Sequence, residues 1–363
     1  MDHSDPAIEF DENGICNHCH RYDELVSGRT VSSENQSHEL KKLIKKIKAS
    51  GRKKEYDCLI GVSGGVDSSY LAYLSKECGL RPLAVHVDNG WNSELATNNI
   101  HNLLKKLNID LHTHVIDWNE FKNLQLSFLH AGVPDGEIPS DHAIDAALWI
   151  CAHKFKIKYI LSGMNFATES ISVPDWAYGH SDWKYIKSVH KIFKNTPLTT
   201  FPRFSFIYLF YVNFIKRIRI ISFLNYFSYN KENAIHLLEK ELDWRRYEGK
   251  HYESIYTRFY QGYILPKKFG IDKRRMHLSD LINAGQITRD QALNEIEKPT
   301  MSEEILKQDY DFVLKKFDLK ELQFQDFMNA PNKSFRDYPN SFGFVQFLRN
   351  LVNLLRKYSL YPK

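Results

Sequence analysis

With 363 residues and 43% hydrophobic content, the chain has enough apolar side chains for one large core or two modest ones, which excludes disorder over most of its length. Its 49 Lys and Arg against 44 Asp and Glu leave a formal net charge of +5, too mild to demand a nucleic-acid partner, and none is expected. Five cysteines, odd in number and unevenly spread, exclude the disulfide framework of a small secreted domain and fit a reducing cytoplasm. The opening Met1-Asp2-His3-Ser4-Asp5-Pro6 lacks the basic-then-apolar order of a secretory signal.

Residues 1–51 are polar and read as an appendage: a Cys/His segment followed by a Lys-rich helix over 39–48. Cys16-Asn17-His18-Cys19-His20 is a CxxC hook, able to fill two of the four tetrahedral positions around zinc, with His18 or His20 as a further ligand. A redox pair and two inert thiols are the alternatives. From Tyr56 onward strand and helix alternate: strand 58–62, helix 66–78, strand 83–87, helix 94–107, strand 111–116, helix 141–155, strand 159–162. That rhythm predicts an α/β fold with a Rossmann-like parallel sheet of four or five strands. Past Met164 helix starts dominate, among them Asn230 before Lys231-Glu232 and the capping box Thr288-Arg289-Asp290-Gln291 after Gly285. The expected division is an N-terminal segment over 1–51, an α/β domain over 52–200, and a mainly helical region over 201–363.

Residues 204–227 are crowded with Phe, Ile, Leu and Tyr, but the uncharged run ends at Ile215 and Lys216, Arg217 and Arg219 sit mid-stretch. A membrane span needs about 18 apolar residues. A buried or partner-covered helix pair is expected, with in-plane contact to a membrane surface as the alternative.

Ile60-Gly61-Val62 leads into Ser63-Gly64-Gly65-Val66-Asp67-Ser68-Ser69 and then a helix, which gathers backbone amides at a helix N-terminus where phosphate binds. Gly64 and Gly65 permit close approach to the anion, and Ser63, Ser68 and Ser69 offer hydroxyl donors. Asp67 makes sense beside phosphate if Mg2+ lies between them. The Lys-Ser/Thr ending of a Walker A loop is missing, so terminal-phosphate hydrolysis is disfavoured. The alternative is a glycine turn that only joins strand to helix.

This pattern resembles the pyrophosphate-loop ATPases. The resemblance implies cleavage of ATP between its first two phosphates, with AMP left on the substrate. It also implies adenine and ribose sites near the first two strand ends, at Gly61, Val62 and Asp88-Asn89-Gly90. Leu161-Ser162-Gly163-Met164-Asn165-Phe166-Ala167-Thr168-Glu169 resembles the Gly-x-Asn...Glu segment of related ligases. By that likeness Gly163 borders the nucleotide, and Asn165 and Glu169 join Asp67 at the reacting phosphate or its metal. An ordinary turn is the alternative for Asn165.

Three further segments carry a narrower likeness: Phe10-Asp-Glu-Asn-Gly-Ile-Cys16-Asn-His-Cys19, Lys250-His-Tyr-Glu-Ser-Ile-Tyr-Thr-Arg-Phe-Tyr-Gln261, and Leu265-Pro-Lys-Lys-Phe-Gly-Ile-Asp272-Lys-Arg-Arg275-Met-His277-Leu-Ser279. With the phosphate loop, they resemble the N-acetyl sugar amidotransferases of bacterial surface-polysaccharide synthesis, over nearly the whole chain. The resemblance implies that the acetamido oxygen of a nucleotide-activated sugar is adenylated and replaced by ammonia, giving a cationic acetamidino group. Lys250, Lys267, Lys268, Lys273, Arg274 and Arg275 are then candidates to hold the nucleotide-sugar diphosphate, against the alternative of a solvated face. His251, Glu253 and His277 are candidate proton carriers.

None of Cys58, Cys78 or Cys151 lies in a Gly-x-Cys-x-Gly elbow, so no glutaminase is visible. The family's ammonia supplier has two parts, resembling the glutaminase and cyclase subunits of histidine biosynthesis, and 204–227 is a candidate surface for docking it. The family also carries a second CxxC upstream of the position of Met1; without it Cys16 and Cys19 make half a zinc site. A transfer-RNA thiolase and a non-catalytic ATP-binding scaffold are the rival functions.

Overall fold

A computed structural model describes residues 1–29, 33–347 and 350. Helices α1 (Asn17–Arg29) and α2 (Ser33–Gly51) precede β1 (Cys58–Gly61), whose Cys58, Leu59 and Ile60 are fully buried. Then follow α3 (Val66–Glu77), β2 (Pro82–Asp88), α4 (Glu94–Leu107), β3 (Leu111–Val115), α5 (Trp118–Ala131), α6 (Ile138–Lys154) and β4 (Tyr159–Ser162). All strands are parallel, in the order β3-β2-β1-β4-β5. A continuous apolar β1 is what a strand covered by helices on both faces requires.

Strand β5 corrects the expectation for residues 204–227. The stretch is not a helix pair but α9 after α7 (Phe166–Glu169) and α8 (Trp183–Phe193): α9 (Phe206–Phe210) runs into a π-helical turn (Tyr211–Ile215), then β5 (Arg219–Ser222) and a 3-10 turn (Phe223–Tyr226). Arg217 takes a left-handed φ of 55° and stops the helix, and the β-branched Ile218, Ile220 and Ile221 suit an extended chain. Tyr159 to Ser162 pair in register with Arg219 to Ser222, so the sheet continues past residue 200.

The C-terminal part comprises α10 (Lys231–Leu242), α11 (Ile255–Phe259), a π-helical run (Tyr260–Phe269), α12 (Arg274–Asn283), α13 (Arg289–Glu297), α14 (Glu303–Phe317) and α15 (Glu321–Asn329). It is mainly helical, as expected. Its Tyr256, Phe259, Tyr260 and Phe317 share one aromatic core with Phe121 and Phe128 of α5 and Tyr185 of α8. Each such ring contributes about 1.5–3 kcal/mol by leaving water, so the core ties the C-terminal helices to α5 and α8. Among the described residues no helix is long and apolar enough to cross a membrane.

Candidate active site

The strand order reverses between β1 and β4, and the carboxyl ends of the strands at such a point form a ligand crevice. The loop after β1 and the loop after β4 meet there. Gly64 has φ +84°, and a Cβ on it would lie 2.8 Å from the Ala96 carbonyl oxygen, so the turn requires glycine. The turn is braced from outside by Trp244 Nε1 and Tyr247 Oη, which donate to the Gly64 carbonyl at 2.9 and 3.1 Å. Inside, Ser68 Oγ donates to the Gly65 carbonyl at 3.1 Å and lies 3.2 Å from Ser63 Oγ. From the β4 side Gly163 packs on the first turn of α3; a Cβ there would come within 3.2 Å of the Asp67 main chain.

These loops form one wall of a cleft of about 930 Å³. Ser63, Gly65, Val66, Asp67, Ser68, Gly163 and Glu169 line it, and so do Lys250, His251, Glu253, Lys273, Arg274 and His277 from the opposite wall. Asp67 accepts a hydrogen bond from Tyr229 Oη. Burial first, and the neighbouring Glu169 carboxylate second, push the Asp67 pKa up, although Lys250 opposes them. Lys250 Nζ lies 3.5 Å from Glu169 Oε1 and donates to the Thr168 carbonyl at 3.2 Å, bridging the two walls. Burial in a cationic surround, with Lys250 and His251 as the leading charges, holds His277 well below the usual imidazole range, so it is neutral at pH 7. His251 packs edge-on to it, ring centroids 5.4 Å apart, and lies 3.7 Å from Glu253 Oε1. Burial would raise Glu253, but its contact with His251 outweighs this and the carboxylate stays below its ordinary value.

Sequence reasoning missed Lys231, which also lines the cleft. Burial and the nearby Lys250 ammonium lower its pKa, against the pull of Asp67. Among the described residues it makes no ion pair, whereas Lys273 pairs with Glu137 at 2.8 Å, Arg274 with Asp272 at 2.8 Å and Arg246 with Glu232 at 2.8 Å.

Residues 253–351 match the C-terminal domain of WbpG-like lipopolysaccharide-biosynthesis proteins. The chain carries a WbpG-like domain. That domain contributes Glu253, Lys273, Arg274 and His277 to the cleft, opposite the phosphate loop. An uncharacterised protein of Methanocaldococcus jannaschii is 23% identical over 286 residues, 76% of this chain and 84% of that one. A tRNA-specific 2-thiouridylase of Fusobacterium nucleatum is 31% identical over 147 residues, 38% of this chain and 40% of the enzyme. Among solved structures, the ammonia-dependent NAD synthetase of Campylobacter jejuni overlaps with a TM-score of 0.31 at 11% identity, covering 82% of this chain and 98% of that one.

Several expected residues lie elsewhere. Asn165 is 1% exposed and caps α7, accepting from the Thr168 amide at 3.0 Å and donating to the Gly163 carbonyl at 3.2 Å, so it shapes the loop without facing the cleft. The turn reading of Asn165 is the one its geometry matches. Ser69 is fully buried with its hydroxyl unpartnered, and Gly61 packs on Leu148. Val62 is buried at the end of the first strand, while Asp88 and Asn89 use their carboxylate and amide oxygens to accept the Gly90 and Trp91 amides. None of these lines the cleft. In the WbpG-like domain Lys267 is exposed, Lys268 caps the carbonyls of Met328 and Ala330, and Arg275 pairs with Asp2. Lys268 and Arg275 are held by these partners, and none of the three lies at the cleft.

The zinc expectation finds no third ligand. Cys16 and Cys19 sulfurs lie 3.5 Å apart, but His18 pairs with Asp5 at 2.6 Å and His20 with Asp11 at 2.9 Å. Among the described residues no group of three or more His, Cys, Asp or Glu could hold a metal ion.

Proposed function

We propose that this protein is an AMP-forming ligase that activates the acetamido oxygen of a nucleotide-linked N-acetyl sugar and replaces it with ammonia. The observation that carries the reading is one shared cleft, with a phosphate-cradling loop on one wall and the cationic, histidine-bearing WbpG-like wall facing it.

Each group has a task. The α3 N-terminus with Ser63 and Ser68 holds the departing pyrophosphate. Asp67 and Glu169 are a hard-oxygen pair whose mutual repulsion a divalent cation would relieve, so the donor set fits Mg2+, which would neutralise phosphate charge there. Lys231, which makes no ion pair among the described residues, is the first choice for a phosphate oxygen. Lys250 and Lys273 would exchange their carboxylates for the substrate diphosphate. Once the amide oxygen carries AMP, ammonia adds to the amide carbon, the C–O bond breaks, and AMP leaves with that oxygen. Neutral His277 takes the proton released by the incoming nitrogen, and the His251–Glu253 pair beside it spreads the charge. Ammonia arrives from a separate glutaminase and cyclase-like supplier; ammonium salt replaces it in the test tube.

The test combines ATP, Mg2+, ammonium chloride and a panel of nucleotide-linked N-acetyl sugars. AMP and pyrophosphate should appear only with a sugar present, and Lys231→Met should cut the rate about 100-fold. Release of ADP and phosphate, or AMP release indifferent to sugar, would contradict the proposal.

The match to a tRNA thiouridylase favours a second reading, thiolation of a tRNA base. Against it, burial pushes the thiols of Cys58 and Cys151 up, and no cysteine is among the described residues lining the cleft. A thiolase needs a reactive sulfur near the nucleotide.

A further inference from the structure

Residues 183–231 contain nine Lys and Arg, at 184, 187, 191, 194, 203, 216, 217, 219 and 231, and no Asp or Glu. Within this stretch α9 and its π-helical turn split into two faces. Val212 is fully buried in the core beneath the sheet, with Tyr208, Leu209 and Tyr211 packed around it. The other face stands out into solvent: Ile207 is 82% exposed, Phe210 59%, Phe214 61% and Ile215 64%. The Phe210 and Phe214 rings stack at 4.8 Å, giving a firm apolar ridge. A contiguous exposed apolar patch of this kind marks a contact.

Cations border the ridge. Arg217 and Arg219 are exposed directly after it, and Lys158 Nζ donates to the Lys216 carbonyl. Lys54 Nζ donates to the Lys156 carbonyl at 2.6 Å, which draws the residues just ahead of β1 and β4 into the same surface. Burial, with Lys158 and Lys156 next, holds the Lys54 ammonium below its ordinary value.

Arg217 and Arg219 stand at the start of β5, and Lys54, Lys156 and Lys158 just before β1 and β4, so the cationic end of the ridge lies at the amino ends of the strands, whereas the cleft opens at the carboxyl ends. The ridge is made of exposed side chains rather than a groove, and the segment that carries it has cations but no carboxylate to repel an anionic surface. We infer that residues 206–219 seat the protein in the plane of an anionic bilayer: Ile207, Phe210, Phe214 and Ile215 enter the headgroup layer, and Arg217 and Arg219 meet lipid phosphates.

The full chain is floated with vesicles of phosphatidylglycerol and phosphatidylcholine, or of phosphatidylcholine alone. It should rise with the anionic vesicles, stay behind with the neutral ones, and lose binding as salt is raised. The double substitutions Ile207→Ser with Phe210→Ser and Arg217→Glu with Arg219→Glu should each weaken binding about tenfold or more, with thermal midpoints unchanged because the side chains are exposed. The inference is overturned if the wild type ignores anionic vesicles, or if both variants bind them like the wild type. It is equally overturned if the variants keep vesicle binding and instead lose a complex with an ammonia-supplying protein.

Discussion

Gly163 shows how a single missing Cβ can control the chemistry. Its α-carbon faces the main chain of Asp67 and Ser68, which are helix backbone and cannot rotate aside as a flexible side chain would. Gly163→Ala must shift the first turn of α3 by a few tenths of an ångström, moving Asp67 and Ser68 together. Because small misplacements of reacting groups are costly, kcat/KM for AMP formation should fall roughly tenfold or more while the thermal midpoint moves little. Unaltered kinetics would show that the two loops need not meet this closely. The glycines and serines of the loop were legible in the sequence because their spacing is dictated by local backbone geometry. Lys231 was not: it follows the helix cap Asn230 like any first-turn lysine, and only the tertiary fold places it near Asp67.

At the scale of elements, alternating apolar runs foretold four strands and three of the helices between them, while α5 went unread. Strand β5 escaped because it is four residues long, basic at one end, and follows a helix whose apolar face is outward. The approach to it is anchored by His142 of α6, whose Nδ1 donates to the His180 carbonyl at 2.6 Å while Nε2 accepts the Phe204 amide at 3.3 Å. Phe204 also stacks on the ring at 4.3 Å. Burial lowers the His142 pKa from 6.5 to about 4, despite the raising influence of the His180 carbonyl. As pH falls below 6.5 the unfolded chain takes up a proton that the folded chain refuses, so stability declines until about pH 4, where the folded ring is protonated too. The loss over that window should be roughly 3 kcal/mol. Denaturant unfolding at pH 7 and pH 4.5 should show a smaller decline for His142→Phe than for the wild type; an equal decline would assign the acid sensitivity elsewhere.

The whole molecule separates two jobs along one sheet. The carboxyl ends of the strands gather the Ser63–Ser68 loop and the WbpG-like wall, and the amino ends carry Arg217, Arg219 and the adjoining end of the apolar ridge. That division was only half visible beforehand: the motifs named the two walls, but their convergence depends on an aromatic core that joins residues more than a hundred positions apart. The same core explains why the cationic residues of the matching segments divide, with Lys250, Lys273 and Arg274 at the cleft and Lys268 and Arg275 spent on carbonyls and on Asp2. The proposed chemistry is transfer of AMP to a sugar amide oxygen, and an isotope reports that directly. A nucleotide-linked sugar with heavy oxygen in its acetamido carbonyl, turned over with ATP and ammonium, should yield AMP carrying the label. Label found in inorganic phosphate, or kept on the sugar while ATP is consumed, would contradict it.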